Sequence, residues 1–353
     1  MEKVLNAQNK EVIKEKEHPQ IVGVQILRFY MAFMVVAAHL GGAALFKLGG
    51  LFYLFQAFHV PVFMLLSFLL CGRYFLSPTK DLIIKRVLRI LIPFALWSVL
   101  SYFLSLILWN NLSPITLVNQ LLTGYPLNNP LWYLVVTFWI CILFWITRLI
   151  TGKNKSAFII VISVLSVICI VLQYTGLYYR LFNGLDYNVK FTIGRFFEMI
   201  PYAAIGIIGS MVLPYLTKLD KKFHLIIFVS AFVLMTTIAI LRDNVISYRP
   251  LGFDFLGVSL IVVAILLVLT AFTNPINWIT NKVFKNIIKW ITSFTLGVFC
   301  MHVVIGRYVE WVFVRFSLTT YNIWMVLVTY IVCYLISFLI WLIPNKFVRQ
   351  IVN

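Results

Sequence analysis

The run RFYMAFMVVAAH, residues 28 to 39, is apolar enough to cross a membrane, yet it begins with Arg28 and ends with His39. The eleven-residue separation corresponds to about 16 Å of α-helix and to nearly three turns, so both side chains share one helix face. Because a charge and an imidazole are costly against lipid, that face is expected to point into the protein, with His39 near mid-membrane. The ordinary pKa of imidazole lies near neutrality, and His39 is therefore the leading candidate for chemistry.

Two further histidines, His59 and His302, also lie in apolar runs. His59 precedes Arg73 by fourteen residues and His302 follows Lys289 by thirteen, which correspond to about 21 and 20 Å of helix. The three histidines are thus predicted to lie at similar depth, although spacing alone does not bring them together. Each of these two also has a structural interpretation, as a hydrogen-bonding partner of a neighbouring helix.

A cluster of basic residues precedes another apolar run, in the segment KDLIIKRVLRILIP: Lys80, Lys85, Arg86 and Arg89. Such a cluster is typical of a topology signal that also attracts anionic lipid. It also has the chemistry of a phosphate clamp for a cytosolic donor. Arg86 and Arg89, three residues apart, share a helix face if the helix begins early enough to include both. The two interpretations are compatible.

The composition indicates an integral membrane protein. Of 353 residues, 62% are hydrophobic and 11% charged, and the mean hydropathy is +0.97, whereas soluble proteins are about half apolar. The net charge of +18 arises from scattered basic residues, which argues against a nucleic-acid partner. With about twenty residues for each crossing, we predict an all-α bundle of ten transmembrane helices. The predicted spans are 22–46, 51–71, 87–109, 131–150, 157–175, 196–216, 224–241, 255–272, 290–308 and 323–343.

The distribution of Lys and Arg predicts the orientation. Twenty of the 29 lie in the connections on the side of the two termini and eight in the others, so both termini are predicted to be cytoplasmic. The expected domains are a cytoplasmic tail over 1–20, a membrane domain over 21–345 and a cytoplasmic tail over 346–353. The five cysteines show no metal-ligand spacing, and we expect neither a disulfide framework nor a metal site.

A few other polar and aromatic side chains are candidates for the site. Arg195 and Glu198, near the outer end of the sixth span, are expected to form a structural pair or to contact a substrate at the outer face. Ser67 has the chemistry of a nucleophile, but no base lies beside it in sequence, and serine in a span more often packs or bonds the backbone. Trp132 belongs to a set of outer aromatic residues that is typical of an interfacial belt and is also suited to stacking on sugars.

These motifs resemble those of the acyltransferase-3 family of bacterial integral membrane O-acyltransferases, over nearly the whole chain. The most specific element is an Arg or Lys, ten residues and then His in the first span, matched by Arg28 and His39. FHVPVFMLLSF, residues 58–68, is similar to the family's fhmPlFffxSG, with Phe68 in place of the glycine. RVLR, residues 86–89, matches an RxxR before the third span. Weaker similarities lie in PLWYL, 130–134, FFEMIPYAAIGIIG, 196–209, and SFTLGVFCMH, 293–302.

The resemblance implies transfer of an acyl group, usually acetyl, from cytosolic acyl-CoA to a hydroxyl of a surface polysaccharide or glycolipid. It implies a multi-pass protein of the bacterial cytoplasmic membrane, in contact with lipids and with acetyl-CoA as donor rather than as a bound cofactor. His39 would act as general base on the hydroxyl or carry the acyl group transiently. His59 and His302 would orient His39 or bind substrate. The residues that would position the donor are Arg28, Arg86, Arg89 and Lys85.

Two other classes remain open at this stage. A transporter or flippase of a lipid-linked glycan or small anion would carry paired, broken spans at matching positions, and the sequence shows no such pattern. A non-catalytic partner of a polysaccharide synthase would tolerate loss of His39. Release of free thiol from acetyl-CoA separates an enzyme from both.

Overall fold

The computed structural model of the protein describes residues 21–41, 59–77, 80–108, 112–125, 127, 129–245, 258–349 and 352. The tail expected over 1–20 lies outside the described residues. So do residues 51–58 and 255–257, which begin the second and eighth predicted spans, and part of the tail expected over 346–353.

The described residues form α-helices and two short 3-10 helices, with no β-strand among them. The 3-10 helices are Asn129–Leu131 and Pro275–Trp278. The α-helices, in chain order, are α1 Val22–Leu40, α2 His59–Leu76, α3 Lys80–Leu108, α4 Pro114–Thr123, α5 Trp132–Thr151, α6 Lys155–Tyr174, α7 Leu177–Leu181, α8 Tyr187–Leu216, α9 Lys221–Val245, α10 Val258–Thr273, α11 Lys282–Thr292, α12 Thr295–Arg315, α13 Ile323–Leu342 and α14 Lys346–Arg349.

Polar caps begin several of these helices where apolar runs start. The side-chain oxygens of the residues before α4, α6, α8, α11 and α13 each accept a hydrogen bond from a backbone N–H in the first turn. Such a bond satisfies a donor that the helix itself leaves unpaired. The capping residues are Ser113, Asn154, Asp186, Asn281 and Asn322.

Within the described part of the chain, ten helical segments are long and apolar enough to cross a membrane, which confirms the predicted number of spans. The ninth segment, Lys282–Arg315, comprises α11 and α12, which are separate helices on either side of 293–294.

Several helices are longer than the spans predicted from hydropathy. The third begins at Lys80 rather than 87 and the sixth at Tyr187 rather than 196, while α2 continues to Leu76 rather than 71. Hydropathy identifies only the apolar part of a helix that lies in the hydrocarbon core. The helix itself continues beyond that part, because polar side chains at its ends reach the headgroup region.

The first helix occupies the centre of the bundle, where it contacts α2, α10, α11, α12 and α13. Arg28 and His39 therefore lie on a helix that is surrounded by protein, as the cost of placing them in lipid predicted. Arg28 lies on the second turn of α1, deeper than the edge expected for it, and His39 is one residue from the end at Leu40.

Close packing of α2 against α8 holds one side of the site. A Cβ at Gly206 of α8 would lie 2.5 Å from the carbonyl oxygen of Leu65, so only glycine permits this approach. Phe68, which stands where the resembling motif has glycine, packs with Phe75 and Phe144, at ring-centroid distances of 5.6 and 5.8 Å. The glycine of the partner helix thus allows the close contact.

Hydrogen bonds identify which helix ends share a face of the bundle. Arg148, near the end of α5, donates to the carbonyl oxygen of Leu76 at the end of α2. Thr292, at the end of α11, donates to the side chain of Gln25 near the start of α1. We call the face defined by these ends and by the start of α3 the basic face, and the other the opposite face.

Candidate active site

A cavity of about 480 Å³ opens within the helices at the basic face, and four arginines line it. We call it the arginine cavity. None of the described residues that line it is acidic. Four guanidinium groups that line one cavity form a strong anion-binding site. The four residues are Arg28 of α1, Arg73 of α2, and Arg86 and Arg89 of α3.

Helical spacing directs these side chains into the same space. Arg86 and Arg89 are separated by three residues on α3, which begins early enough to include both, so they share the face that was predicted. On α2 the cavity-lining residues Ser67, Cys71 and Tyr74 recur every three or four residues. Arg28 interacts electrostatically with both α3 arginines across the cavity.

Arg86 is held in place by α2. Its Nη2 donates to Oγ of Ser67. Ser67 is therefore an acceptor for a guanidinium, and this contact orients Arg86. The buried Nε of Arg86 has no hydrogen-bond partner among the described residues. A bound anion would satisfy this donor, since unpaired buried donors are costly.

The lining of the cavity differs from the predicted set of donor-positioning residues at two positions. Arg73 lines the cavity from the last turn of α2, although its sequence context indicated only a connection. Arg73 follows Leu66 and Leu70, which also line the cavity, by seven and three residues, so the three share one face of α2. Lys85 is exposed and is not part of the lining.

The predicted histidines lie together, deeper than the arginine cavity. The imidazole rings of His39 and His302 are 5.2 Å apart between centroids. His302 also interacts electrostatically with His59, which is buried at the start of α2. His302 lies seven residues after the first residue of α12, Thr295, and thirteen before the last, Arg315. The histidines therefore lie well inside the bundle.

Backbone carbonyls determine the tautomer of His302. Its Nδ1 lies 2.8 Å from the carbonyl oxygen of Phe299 and 3.2 Å from that of Val298. Carbonyl oxygens only accept, so Nδ1 carries the proton in the neutral ring and Nε2 keeps a lone pair. That Nε2 is buried and has no hydrogen-bond partner in the described residues. It is available to accept a hydrogen bond from a group brought beside it.

His39 remains accessible even though its helix lies inside the bundle. The ring is exposed, while Val35 and Val36, one turn earlier on the same face, are buried to 1% and 0% exposure. The exposure of His39 leaves accessible space beside it, from which a reacting molecule would reach its ring, whereas His302 is 0% exposed.

None of the three histidines lines the arginine cavity. Its deep end is closed by Phe63 of α2, Tyr133 of α5 and Phe299 of α12, which we call the aromatic layer. Phe299 lies 6.2 Å from His302 between ring centroids, so the layer contacts the cavity on one side and the histidines on the other.

A second polar group lies toward the opposite face. Arg195 and Glu198 form the predicted pair, with Nη1 and Oε2 2.6 Å apart and Glu198 at 0% exposure. The Arg195 guanidinium also covers the rings of Phe191 and Trp132, at 4.9 and 5.7 Å. The Trp132 ring contacts that of Tyr133 in the aromatic layer, 6.3 Å away. This group therefore contacts the aromatic layer through Trp132.

Ten apolar helical segments among the described residues, with the arginine cavity and the histidine pair between them, define a multi-pass membrane protein. A family model described as an acyltransferase domain matches residues 21–342. The chain belongs to this acyltransferase-3 family, which confirms the resemblance. No curated protein and no solved structure matches it significantly.

Proposed function

We propose that this membrane acyltransferase moves an acyl group, in the simplest case acetyl, from acyl-CoA to a hydroxyl of a cell-surface polysaccharide or glycolipid. One observation carries the proposal. The same helix, α1, supplies Arg28 to an anion-binding cavity and His39 to a histidine pair about three turns away. That arrangement suits a long donor with phosphates at one end and a reactive acyl group at the other.

The arginine cavity would hold the phosphates of the donor. CoA carries a diphosphate and a ribose phosphate, and guanidinium groups bind such oxygens in bidentate pairs. The volume of about 480 Å³ lies in the usual range for small-molecule sites, about 300 to 1,000 Å³. The unpartnered Nε of Arg86 supports an anionic occupant.

His39 would be the catalytic residue. If an N–H of His39 donates to the free Nε2 of His302, the other ring nitrogen of His39 presents its lone pair to the accessible space. In direct transfer, that nitrogen takes the proton of the acceptor hydroxyl, and the oxygen attacks the thioester carbonyl. The C–S bond breaks, the ester forms, and the imidazolium returns the proton to the CoA thiolate.

The same lone pair also suits covalent catalysis. His39 would then attack the thioester itself, forming an acyl-imidazole and releasing CoA, before the hydroxyl takes the acyl group. Both routes need His39 accessible and His302 beside it, which is the arrangement observed.

The acceptor would approach from the opposite face. Tyr187 is 66% exposed there, and its ring lies 6.1 Å from Tyr125, which in turn packs 5.0 Å from Phe191. Exposed aromatic rings are suited to stacking on sugar rings, and the adjacent Arg195 supplies hydrogen-bond donors. The excess of Lys and Arg at the basic face supports a cytoplasmic location for that face, in a bacterial plasma membrane.

A cell-based comparison tests the proposal. A deletion strain is complemented with the wild type, His39→Gln or His224→Gln, and the acyl content of its surface glycan is measured by mass spectrometry. His224 lies at the start of α9, where Nε2 contacts the carbonyl oxygen of Leu216, away from the site. We expect His39→Gln to abolish acylation and His224→Gln to retain it, at equal membrane abundance. Full acylation with His39→Gln would contradict the proposal.

A further inference from the structure

The aromatic layer is the boundary that a donor molecule must pass. Phe299 lies 5.4 Å from Tyr133 and 6.1 Å from Phe63 between ring centroids. These are contact distances for aromatic pairs, so the three rings pack against one another between the cavity and the histidines. Phe299 is 5% exposed, and its ring is also in contact with that of His302.

The order of residues along α12 shows what Phe299 separates. Thr295 and Leu296 line the arginine cavity, Phe299 lines its end, and His302 lies one turn further, outside the cavity. The order on α2 agrees, since Ser67 and Phe63 line the cavity and His59 lies beyond them. Two helices thus place a phenylalanine between the cavity and a histidine.

Tyr133 is less free to move than the two phenylalanines of the layer, of which Phe299 is the one in contact with His302. Tyr133 makes hydrogen bonds with Ser67 and Thr137. Ser67 in turn accepts from Arg86, which ties Tyr133 to the binding cavity. A phenylalanine side chain has no hydrogen-bond donor or acceptor, so packing alone holds Phe299 in position.

We propose that Phe299 closes the passage from the arginine cavity to His39 and sets the size of the acyl group that passes it. The inference rests on the proposed function. With its phosphates among the arginines, the donor enters the aromatic layer with its acyl end first. Phe299 must then turn aside, and the space it releases beside Phe63 and Tyr133 limits the acyl group. Phe299 is thus a specificity-determining residue, distinct from the catalytic His39.

Substitutions that change only the size of this side chain test the inference. Phe299→Ala, Phe299→Leu and Phe299→Trp are compared with Phe313→Ala, which removes the same volume from a buried site on α12 outside the cavity. Membranes from a complemented deletion strain supply the natural acceptor. Free thiol release from acetyl-CoA and butyryl-CoA gives kcat/KM for each donor, and binding of CoA itself is measured separately.

We expect Phe299→Ala to raise the butyryl-to-acetyl ratio of kcat/KM by about tenfold or more, the effect of one or two methylenes in a fitted site. Phe299→Leu should give a smaller rise, and Phe299→Trp should slow both donors. CoA affinity should not change in any of them, because the arginines are intact. Phe313→Ala should leave the ratio at its wild-type value.

The outcomes separate this inference from the proposed function. If the wild type releases thiol but the ratio is unchanged in both Phe299→Ala and Phe299→Leu, Phe299 does not select the acyl group and the proposed function still stands. If Phe299→Ala does not accumulate in the membrane, Phe299→Leu decides. A wild type that releases no thiol from either donor overturns the proposed function and the inference with it.

Discussion

The imidazole rings of His39 and His302 lie 5.2 Å apart at an interplanar angle of 50°, although they come from helices near opposite ends of the chain. His39 is accessible and His302 is not. His302 is held by backbone carbonyls through Nδ1 and directs a lone pair outward from Nε2. His39 can therefore contact a substrate directly, whereas His302 can act on the substrate only through His39.

His302 is expected to act as a positioning residue. His302→Ala should lower kcat about 100-fold with little change in KM for acyl-CoA, because the orientation of His39 is lost while donor binding is not. Steady-state thiol release from purified protein measures both constants. A change confined to KM would instead place His302 in substrate binding.

The α3 arginines are expected to determine donor affinity. Arg86→Gln or Arg89→Gln should weaken CoA binding about tenfold to 100-fold, the effect of losing a charge-assisted hydrogen bond. Lys85→Gln is the matched control, because Lys85 neighbours Arg86 in sequence but is exposed outside the cavity. Isothermal titration of the protein in nanodiscs measures the affinity. An equal loss with Lys85→Gln would indicate general electrostatic attraction rather than a defined site.

Cys71 provides a direct reporter of cavity occupancy. It lines the arginine cavity and is partly accessible, whereas the other four cysteines are buried. A water-soluble maleimide should therefore label Cys71 first, and acetyl-CoA should slow that labelling. Protection should persist in His39→Gln, in which chemistry is lost and binding is kept. Peptide mapping by mass spectrometry identifies the labelled residue. If saturating acetyl-CoA leaves the labelling rate of Cys71 unchanged, the donor does not bind in this cavity.

Arg148 is expected to contribute to stability alone. Its guanidinium donates to the carbonyl oxygens of Leu76, Lys153 and Asn154, which joins the end of α2 to the turn between α5 and α6. Arg148→Met should lower the free energy of unfolding by at least about 2 kcal/mol, because buried carbonyls lose charged donors. Thermal unfolding in detergent shows the loss. KM for acyl-CoA in the folded fraction should stay at the wild-type value.

Local periodicity predicted much of this arrangement from sequence. Hydropathy indicated ten spans, and helical arithmetic placed Arg28 and His39 on one interior face and Arg86 with Arg89 on another. Contacts between helices distant in the chain could not be obtained this way. The pairing of His39 with His302, the bond from Arg86 to Ser67 and the position of Phe299 all depend on which helices become neighbours. That choice is made by packing at residues such as Gly206 and Phe68, which single-sequence patterns do not reveal.

Acyl transfer by His39 is the central claim, and a single measurement tests it most directly. Protein in nanodiscs is mixed with radiolabelled acetyl-CoA and membrane glycan acceptor, and both free thiol and labelled ester are counted for the wild type, His39→Gln and His224→Gln. The account predicts equal thiol and ester from the wild type and from His224→Gln, and neither from His39→Gln, which should still bind CoA. Ester formation by His39→Gln at the wild-type rate would contradict it.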